Sequence, residues 1–424
     1  MVNILVVGSG GREHAICHAF SRSSAVSKIL CANGNAGIAD VAELVDIRPD
    51  DISALADLAE KRGIDITFVG GETSLALGIV DEFEKRGMRI VGASKAAARL
   101  EASKSFAKDF MRRHGIPTAA YRTANAPAEA IEILRSGEFG DENAPVVVKA
   151  DGLAAGKGVV VAADRNEAEA AINELETLVG ADAAASIVLE ECLFGREVSL
   201  IMFCDGENYA LMPPTRDHKR IGEGDTGPNT GGMGTITDDR LLSKEQTEEI
   251  VETVIEPTLK GCKEEGFPFK GILFLGLMMT DRGPKVLEYN VRFGDPETQS
   301  ILVRLETDLV EICEAMIGGR LNEIEIKWKE GNSACVILAS EGYPGKARTG
   351  DIINGLDDAA ELSDVTIFHA GTGRNAEGGF VTAGGRVLGV TAVGDDLDNA
   401  LTKAYEGVSN ISWLGMKYRR DIGL

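Results

Sequence analysis

A glycine-rich stretch with lysines, KADGLAAGKGV (149–159), has residue types that suggest chemistry. It is not a P-loop, because that motif needs Gly, four residues and then Gly-Lys-Ser/Thr, whereas three residues separate Gly152 from Gly156 and a glycine follows Lys157. The apolar runs PVVVKA and GVVVAA flank it, which predicts a hairpin between two strands. Backbone N–H groups at such glycines can lie against phosphate oxygens, with Lys149 and Lys157 as cations. An ordinary hairpin with solvated lysines has the same pattern.

Acidic and amide side chains in KVLEYNVRFGDPETQ (285–299) have the spacing of a metal site. Glu288 and Asn290 are two apart in a predicted strand, so both side chains point to one face. A carboxylate and an amide oxygen together suit Mg²⁺, which takes few protein ligands and completes its shell with phosphate and water. Arg292, on that face or at the start of the next loop, can clamp a carboxylate. The alternative is a half-exposed strand with polar residues on its outer face.

A break between two strands is predicted in VLEECLFGREVSL (188–200), with the second strand starting at Gly195. Exposed backbone in such a break can hydrogen-bond a nucleotide base, and Glu197 can meet ribose hydroxyls. A surface turn with carboxylates needs no function, so this signal is weak by itself.

A long polar loop is predicted for PPTRDHKRIGEGDTGPNTGGMGT (213–235), because its glycines are too many to pack by themselves. Loops longer than about 12–15 residues in a compact domain are usually functional. Asp217, His218 and Lys219 follow one another in it. His218 is a candidate general base, although a histidine in a polar loop is more often merely solvated.

The elements that must position these residues begin with short apolar strands alternating with helices over residues 1–104, which predicts a parallel sheet covered on both faces. GSGGREH (8–14) lies at the carboxyl end of the first strand, where such sheets bind ligands. Its pattern Gly8-x-Gly10-x-x-Glu13 lacks the third glycine of a dinucleotide fingerprint, so a nicotinamide cofactor is not expected. A phosphate at the helix N-terminus is still compatible with it.

The rest of the chain mixes strands and helices. SKSFAKDFMRRHG predicts an amphipathic helix that ends at Gly115 and Pro117. Apolar strands surround the hairpin in the region 118–190, and further strands and helices follow in 191–328. Beyond about 329 the sequence is glycine-rich and β-like, with a closing helix at 395–408.

Composition restricts the class of protein. A chain of 424 residues predicts two to four domains, and its net charge of −23 argues against a nucleic-acid partner, although solubility alone also explains the acidity. Seven scattered cysteines without a CxxC pair indicate reduced core residues and no zinc site. No apolar run approaches the ~20 residues of a membrane span, and the start MVNILVVGSGG predicts a first strand and no signal peptide. We therefore expect a cytoplasmic protein without nucleic-acid or membrane partners.

Taken together, GSGGREH, GETSLALG (71–78), the KADGLAAGKGV hairpin, DHKR…DTGPNTGGMG and EYNVRFGDPETQ closely resemble the phosphoribosylamine–glycine ligase family of ATP-grasp enzymes. SEGYPGKARTGD, FHAGT and YRRDIG extend the resemblance over nearly the whole chain, which is similar to the monofunctional form of the family. The resemblance implies an α/β and α+β multidomain fold. Its parts are an N-terminal parallel-sheet domain (1–104), an ATP-grasp domain (105–328) with a mobile lid (about 118–190), and a small, mixed β-rich C-terminal domain (329–424).

The resemblance also implies ligation of glycine to 5-phosphoribosylamine with ATP, through glycyl phosphate, by a monomer or weak homodimer. ATP would lie between two sheets, with backbone groups of the strand break on adenine, and Mg²⁺ (or Mn²⁺) on its phosphates. The implied nucleotide-binding residues are Lys108, Lys149, Gly152, Gly156, Lys157, Gly158, Glu191, Leu193 and Glu197. The implied metal ligands are Glu288 and Asn290.

For the substrates, the resemblance implies that Arg292 holds the carboxylate of glycine and Asp217 its ammonium, with Lys219 in the same catalytic group. The residues implied for 5-phosphoribosylamine are Gly10, Gly11, Arg12, Glu13, Gly231 and Gly232. Three alternatives are an ATP-grasp enzyme that carboxylates or formylates a ribonucleotide, a non-catalytic nucleotide-binding regulator, and a dehydrogenase. The GGMG and RFGDPETQ motifs argue against the other ATP-grasp enzymes. The presence of Glu288 and Asn290 argues against a non-catalytic regulator, and the incomplete fingerprint argues against a dehydrogenase.

Overall fold

A computed structural model describes residues 1–153, 158–180 and 184–424. The N-terminal part is a five-stranded parallel sheet of order β3-β2-β1-β4-β5 with helices on both faces. Ile4 to Val7 on the central strand are fully buried, as both faces of a covered parallel sheet require. The strands are β1 Val2–Gly8, β2 Val26–Asn33, β3 Glu43–Val45, β4 Ile66–Val69 and β5 Ile90–Val91. The helices are α1 Gly11–Ser21, α2 Ile52–Arg62, α3 Glu72–Leu77, α4 Ile79–Lys85 and α5 Lys95–Ala102.

A four-stranded antiparallel sheet of order β6-β9-β7-β8 follows. The two apolar valine runs pair as the predicted hairpin, with Val146 opposite Ala162 and Lys149 opposite Val159. The elements are α6 Lys104–Arg113, β6 Tyr121–Ala124, α7 Pro127–Arg135, β7 Val146–Ala150, β8 Val159–Ala162, α8 Arg165–Val179 and β9 Ile187–Glu191.

A nine-stranded sheet forms the largest layer, and its order is β17-β16-β10-β12-β15-β18-β22-β19, with β11 beside β10. Its pairings are antiparallel, and the long strands β10 and β16 are matched residue by residue. Its strands are β10 Arg196–Asp205, β11 Tyr209–Leu211, β12 Thr215–Asp217, β15 Gly234–Thr237, β16 Lys270–Thr280, β17 Gly283–Asn290, β18 Asn332–Ala339, β19 Val365–His369 and β22 Arg386–Gly394. The helices of this part are α9 Lys244–Ile250, α10 Glu256–Glu264, α11 Glu297–Leu302, α12 Leu309–Gly318, α13 Leu356–Ala360 and α14 Leu397–Asn410.

Two small hairpins project from this sheet, β13–β14 (Arg220–Gly222, Thr226–Asn229) and β20–β21 (Thr372–Arg374, Phe380–Thr382). The first of them corrects the prediction of a long loop over 213–235. Three glycines of this stretch, Gly224, Gly227 and Gly232, have positive φ. Thr215 and Asp217 pair with Thr237 and Thr235, so more than half of the stretch is strand.

The C-terminal strands do not form a separate sheet, because β15 pairs with β18 and carries the nine-stranded sheet past residue 329. The expected fold class, with a parallel N-terminal sheet and a β-rich C-terminal region, is confirmed. All seven cysteines are free, and six are buried. Within the described parts of the chain, the helices are all too short or too polar to cross a membrane.

Candidate active site

A cleft of about 370 Å³ lies between the four-stranded and nine-stranded sheets and reaches the N-terminal part. Of the residues predicted for function, it is lined by Arg12, Lys108, Lys149, Gly158, Asp217, Lys219, Gly231, Glu288, Asn290 and Arg292. The tertiary structure therefore brings ten residues from distant parts of the sequence to one cavity.

Two buried lysines and one carboxylate form the end of the cleft under the four-stranded sheet. The ammonium groups of Lys108 on α6 and Lys149 on β7 each lie 2.8 Å from a carboxylate oxygen of Glu190 on β9. Burial lowers the pKa of Lys108 to about 8, against the attraction of Glu190. Glu190 is not among the residues predicted from the sequence, although a charged residue at an inward position of the apolar strand IVLEE was a signal for it.

Lys149 also connects this end of the cleft to β17. Its Nζ donates a hydrogen bond of 3.2 Å to the carbonyl of Leu287, the residue before Glu288. A cation and a candidate metal ligand therefore lie on the same side of the cavity.

Glu288 and Asn290 have the chemistry of a small metal site. Among the described residues, Glu288 makes no hydrogen bond or ion pair, whereas the Asn290 amide oxygen accepts a 3.1 Å bond from Arg292. Burial opposes ionisation of Glu288, but Lys219 and Lys149 outweigh it and hold the pKa of Glu288 below its ordinary value. No group of three His, Cys, Asp or Glu side chains in the described ranges could enclose a metal by itself. An anionic, unpartnered carboxylate and an amide oxygen fit Mg²⁺, whose other ligands are usually phosphate and water.

The guanidinium of Arg292 is held by two carboxylates that the sequence analysis did not select. Glu101 lies 2.6 Å from it and Glu72, in the GETSLALG motif, 3.2 Å. Arg12 is nearby, 3.9 Å from Glu72, and donates to the carbonyl of Phe293. The two arginines therefore have fixed positions around Glu72.

A second group of carboxylates, those of Asp217, Glu197 and Glu297, lies near the C-terminal end of β12. Oδ1 of Asp217 is buried and has no hydrogen-bond partner among the described residues. Burial, and then the nearby charge of Glu297, raise the pKa of Asp217, and burial also raises the pKa of Glu297. Lys219 lies 3.0 Å from Glu197 and keeps its charge, because surrounding carboxylates outweigh burial and raise its pKa. The pair of buried carboxyl groups, Asp217 and Glu297, would therefore be stabilised by a cation bound beside it.

Glycines allow close approach at this end. A Cβ on Gly232, whose φ is +104°, would lie 2.6 Å from Oδ1 of Asp217 and 2.6 Å from Pro296. A Cβ on Gly231 would lie 3.0 Å from the guanidinium of Arg386, another cleft residue that the sequence analysis missed. Side chains at these two glycines would displace the charged groups beside them.

The N-terminus of α1 packs against the segment before α11. Cβ atoms on Gly10 and Gly11 would lie 2.9 Å from Asp295 and 2.5 Å from Gln299. Glu13 is buried and caps its own helix, since it accepts a 2.6 Å bond from the Gly10 amide, and it also lies 2.6 Å from Arg12. Of these four predicted residues, Arg12 is the one that lines the cleft.

The strand break lies between β9 and β10, as predicted. The carboxylate of Glu191 accepts from the Ala120 amide and from Lys285, and Glu197 is exposed beside Lys219. Glu191, Leu193 and Glu197 are not among the residues that line the cleft.

Two predictions concern the glycine-rich turn itself. Gly156 and Lys157 lie outside the described residues. The carbonyl of Gly152 accepts a 3.1 Å hydrogen bond from Lys104, a further lysine that lines the cleft, and Gly158 lines it as well.

His218 has a structural role. Its side chain is buried, its Nδ1 lies 3.2 Å from the carbonyl of Gly234, and its Nε2 accepts from the amide of Gly423. Burial lowers the pKa of His218 to about 4, so the imidazole is neutral. It does not line the cleft.

Comparison with known proteins gives one family. Sequence profiles of phosphoribosylglycinamide synthetase match in order along the chain: the N domain at 2–101, the ATP-grasp (A) domain at 102–298 and the C domain at 333–424. The chain is 45% identical to the phosphoribosylamine–glycine ligase of Caldanaerobacter subterraneus subsp. tengcongensis, over 99% of both proteins. It is 46% identical to that of Brucella melitensis, over 100% of this chain and 97% of the relative.

Solved structures agree. The crystal structure of phosphoribosylamine–glycine ligase from Thermotoga maritima matches over 100% of both chains, with a TM-score of 0.85 and 33% identity. The biotin carboxylase domain of the Hydrogenobacter thermophilus 2-oxoglutarate carboxylase shares the fold, with a TM-score of 0.73 at 18% identity over 98% of this chain and 91% of that one. The chain therefore belongs to the phosphoribosylglycinamide synthetase family, with the ATP-grasp fold at its centre.

Proposed function

We propose that the chain ligates glycine to 5-phosphoribosylamine with ATP, and gives glycinamide ribonucleotide, ADP and phosphate, a step of purine biosynthesis. Full-length similarity to phosphoribosylamine–glycine ligases supports the reaction. One contact carries the proposal for this chain: Nζ of Lys149 lies 3.2 Å from the carbonyl of Leu287 on β17, one residue before Glu288. The carboxylate of Glu288 has no partner among the residues that the structure describes. A cation for phosphate and a carboxylate for metal side by side suit a metal–triphosphate complex.

The nucleotide lies, in this proposal, between the four-stranded and nine-stranded sheets. Lys108 and Lys149 neutralise phosphate charge, the backbone of Glu191 and Leu193 receives adenine, and Glu197 holds ribose. The turn with Gly152, Gly156, Lys157 and Gly158 covers the phosphates. Mg²⁺ or Mn²⁺ held by Glu288 and Asn290 would neutralise further phosphate charge.

The chemistry needs no protein nucleophile. A carboxylate oxygen of glycine attacks the γ-phosphorus and ADP leaves, which gives glycyl phosphate. The amine nitrogen of 5-phosphoribosylamine attacks the acyl carbon, phosphate leaves with that oxygen, and the nitrogen loses a proton. The residues act by positioning, charge neutralisation and exclusion of water.

Glycine is proposed to bind between Arg292 and Asp217. The two carboxylates around Arg292 hold its guanidinium in place, and a guanidinium can bind a carboxylate with two hydrogen bonds. Asp217 has a buried oxygen without a partner among the described residues, and it suits an ammonium group. The ammonium group of Lys219 offsets the negative charge of the nearby carboxylates of Glu197, Glu288 and Asp217.

The second substrate is proposed to bind at the N-terminus of α1. Its contacts are backbone groups of Gly10, Gly11, Gly231 and Gly232 and the side chain of Arg12, with Glu13 fixing Arg12 and the helix end. Gly10 and Gly11 lie directly against residues 295–299, and Asp295 and Glu297 of that segment line the cleft. This contact supports a site for the second substrate next to the one proposed for glycine.

Three wider features complete the proposal. Residues of about 118–190 close as a lid, because an acyl phosphate must be kept from water. The protein acts as a monomer or weak homodimer. Its domain limits lie near 104 and 328, and the nine-stranded sheet continues across the second limit. Its buried free thiols suit the reducing cytoplasm.

The test is ADP release from purified protein with ATP, Mg²⁺ and fresh 5-phosphoribosylamine, with and without glycine. We expect ADP release that requires glycine and equals the glycinamide ribonucleotide formed. Bicarbonate or formate in place of glycine tests the other ATP-grasp reactions. ADP release that does not respond to glycine would remove this function and the roles of Arg292 and Asp217.

A further inference from the structure

The extended segment 216–219, which begins in β12 and continues past its end, has two different neighbours. The side chains of Asp217 and Lys219 line the cleft. Arg216 and His218 alternate with them and make their contacts with the end of the chain, as expected for side chains on the opposite face of an extended segment. Whatever supports Arg216 and His218 therefore supports the residues that face the substrates.

The C-terminal segment, Tyr418–Leu424, provides this support. The amide of Gly423 donates a 3.1 Å hydrogen bond to Nε2 of His218, and Arg216 donates a 2.5 Å bond to the Leu424 carbonyl. His218 in turn donates from Nδ1 to the carbonyl of Gly234, which fixes the ring tautomer as the one that accepts at Nε2. The segment thus holds the strand from behind.

Arg419 of the same segment holds the β13–β14 hairpin, which connects Lys219 to the Gly231–Gly232 turn. Its side chain is only 2% exposed. It donates to the carbonyl of Arg220 at 3.1 Å and to the carboxylate of Asp225 at 2.7 Å. Its other nitrogens bind Asp421 at 2.7 Å, and Asp421 accepts from the amide of Gly224 at the hairpin tip.

The segment is itself anchored to the body of the protein. The hydroxyl of Tyr405, on α14, donates to the carbonyl of Arg419 and accepts from the amide of Ile422. Ala339 on β18 and Lys417 exchange two backbone hydrogen bonds just before the segment begins. The hairpin is therefore tied through Arg419 to the nine-stranded sheet and α14.

We propose that the C-terminal segment positions Asp217 and Lys219 for catalysis, with Arg419 as the main positioning residue. In the described parts of the chain, Arg419 makes no hydrogen bond to Lys108, Lys149 or Glu288, so its effect should be larger on glycine, through Asp217, than on the nucleotide, which it reaches through Lys219 and Glu197. This inference rests on the proposed function, because it assigns a role in the binding of the amino acid. We call the hydrogen bonds of Arg419 and Asp421 to the β13–β14 hairpin the clamp. The clamp can be tested without measuring turnover.

The experiment compares Arg419→Ala with Arg420→Ala. The neighbouring Arg420 carries the same charge and also reaches the hairpin, at Glu223, but that pair is 3.6 Å long and the Arg420 side chain is 71% exposed, which makes it a matched control for an exposed contact. Loss of a buried charged hydrogen-bond network should raise the KM for glycine about tenfold or more in Arg419→Ala. The KM for ATP should rise by a smaller factor, because Lys219 reaches the nucleotide only through Glu197, and Arg420→Ala should match the unchanged protein in both.

A second measurement reads the clamp directly. Hydrogen exchange of the 220–232 amides should become faster in Arg419→Ala and not in Arg420→Ala, while exchange in β10 and β16 stays the same. If Arg419→Ala does not fold, Asp225→Asn decides: its side chain is 70% exposed, and Asn tolerates its φ of +53°. This variant should raise the glycine KM in the same direction by a smaller factor.

The outcomes are distinguishable. Unchanged glycine KM and unchanged exchange at 220–232 in a folded variant would overturn the inference. Equal rises in both KM values, with faster exchange throughout the nine-stranded sheet, would also overturn it, because the role would be merely structural. If the unchanged protein shows no glycine-dependent ADP release, the proposed function fails instead, and hydrogen exchange still decides the clamp.

Discussion

At the scale of single residues, some carboxylates of the cleft form ion pairs within the protein and others do not. Glu190 is buried, and a lysine ammonium group lies 2.8 Å from each of its two carboxylate oxygens, whereas the carboxylates of Glu288 and Asp217 make no ion pair among the described residues. A buried charge without a partner is costly, so unpaired groups in a cleft are expected where a ligand supplies the partner. Removal of a paired residue should therefore affect folding, and removal of an unpaired one should affect binding.

The first prediction concerns Glu190. Glu190→Gln leaves two buried ammonium groups without their carboxylate, and should lower the free energy of unfolding by about 3 kcal/mol or more. The control is Glu191→Gln, whose pair with Lys285 is partly exposed and should contribute less than about 1 kcal/mol. Urea unfolding of both variants measures the difference. Equal stability of the two would mean that the buried cluster is not paired as described.

The second prediction concerns Glu288. Glu288→Ala should reduce ADP release at least about 100-fold with little change in the melting temperature, because the carboxylate holds no other part of the described protein. Asp281→Asn, at the exposed turn of the same β16–β17 hairpin, removes an acidic group as a control. Near-normal turnover in Glu288→Ala would remove the metal assignment.

The third prediction concerns pH. The pKa values of Asp217 and Glu297 are raised by burial, so these carboxyl groups take up protons first as the pH falls. A protonated carboxyl group attracts an ammonium less, and the KM for glycine should therefore rise as the pH is lowered. The KM for ATP should not rise with it, because the pKa of Glu288 is lowered by the lysines around it and Lys108, with a pKa of about 8, becomes more fully charged as the pH is lowered. Parallel changes in both KM values would contradict this assignment.

At the scale of elements, the stretch 213–235 forms two strands of the large sheet with a hairpin between them. Its glycines look like loop residues in the sequence, but they serve as turn positions and as points of close approach. Polarity and glycine content predict an exposed loop. The two strands form because β12 pairs with β10 and β15 pairs with β18, and the local sequence pattern contains no sign of these distant partners.

The fourth prediction belongs to this turn. Gly232→Ala places a Cβ 2.6 Å from Asp217 and Pro296, so it should displace Asp217 and raise the glycine KM about tenfold or more. Gly319→Ala, at the end of α12, is the control: its φ is also positive, at +67°, but no atom lies within 4 Å of the added Cβ. The control should lose about 1–2 kcal/mol of stability and keep its activity. A similar glycine KM in the two variants would show that strain alone matters.

At the scale of the whole molecule, the nine-stranded sheet crosses the predicted domain limit at 328. β18 and β22 extend the sheet that begins with β17, and Arg386 of β22 reaches the carbonyl of Asp295 beside the cleft. The C-terminal part therefore shares backbone hydrogen bonds with the part that binds ATP in our proposal.

The fifth prediction follows from this shared sheet. Residues 192–424 should unfold in one cooperative transition, since separation at 329 would expose the paired edges of β15 and β18. Calorimetry combined with hydrogen exchange of β15 and β18 measures this. An earlier, separate loss of protection in 332–424 would show an independent domain.

Local patterns made much of this protein readable before its structure. Alternation with a period of two placed Glu288 and Asn290 on one face, glycines between valine runs predicted the β7–β8 hairpin, and motif resemblance identified the family. These signals are short-range, because strand alternation and turn conformations depend on a few neighbouring residues.

The tertiary structure decided which distant groups meet. Glu190 is 82 residues from Lys108, and Glu72 is 220 residues from Arg292, so neither pair has a signature in sequence spacing. The support of Asp217 and Lys219 by the last residues of the chain is equally non-local. Such pairs depend on which sheets face each other, and that follows from burying apolar surface over the whole molecule.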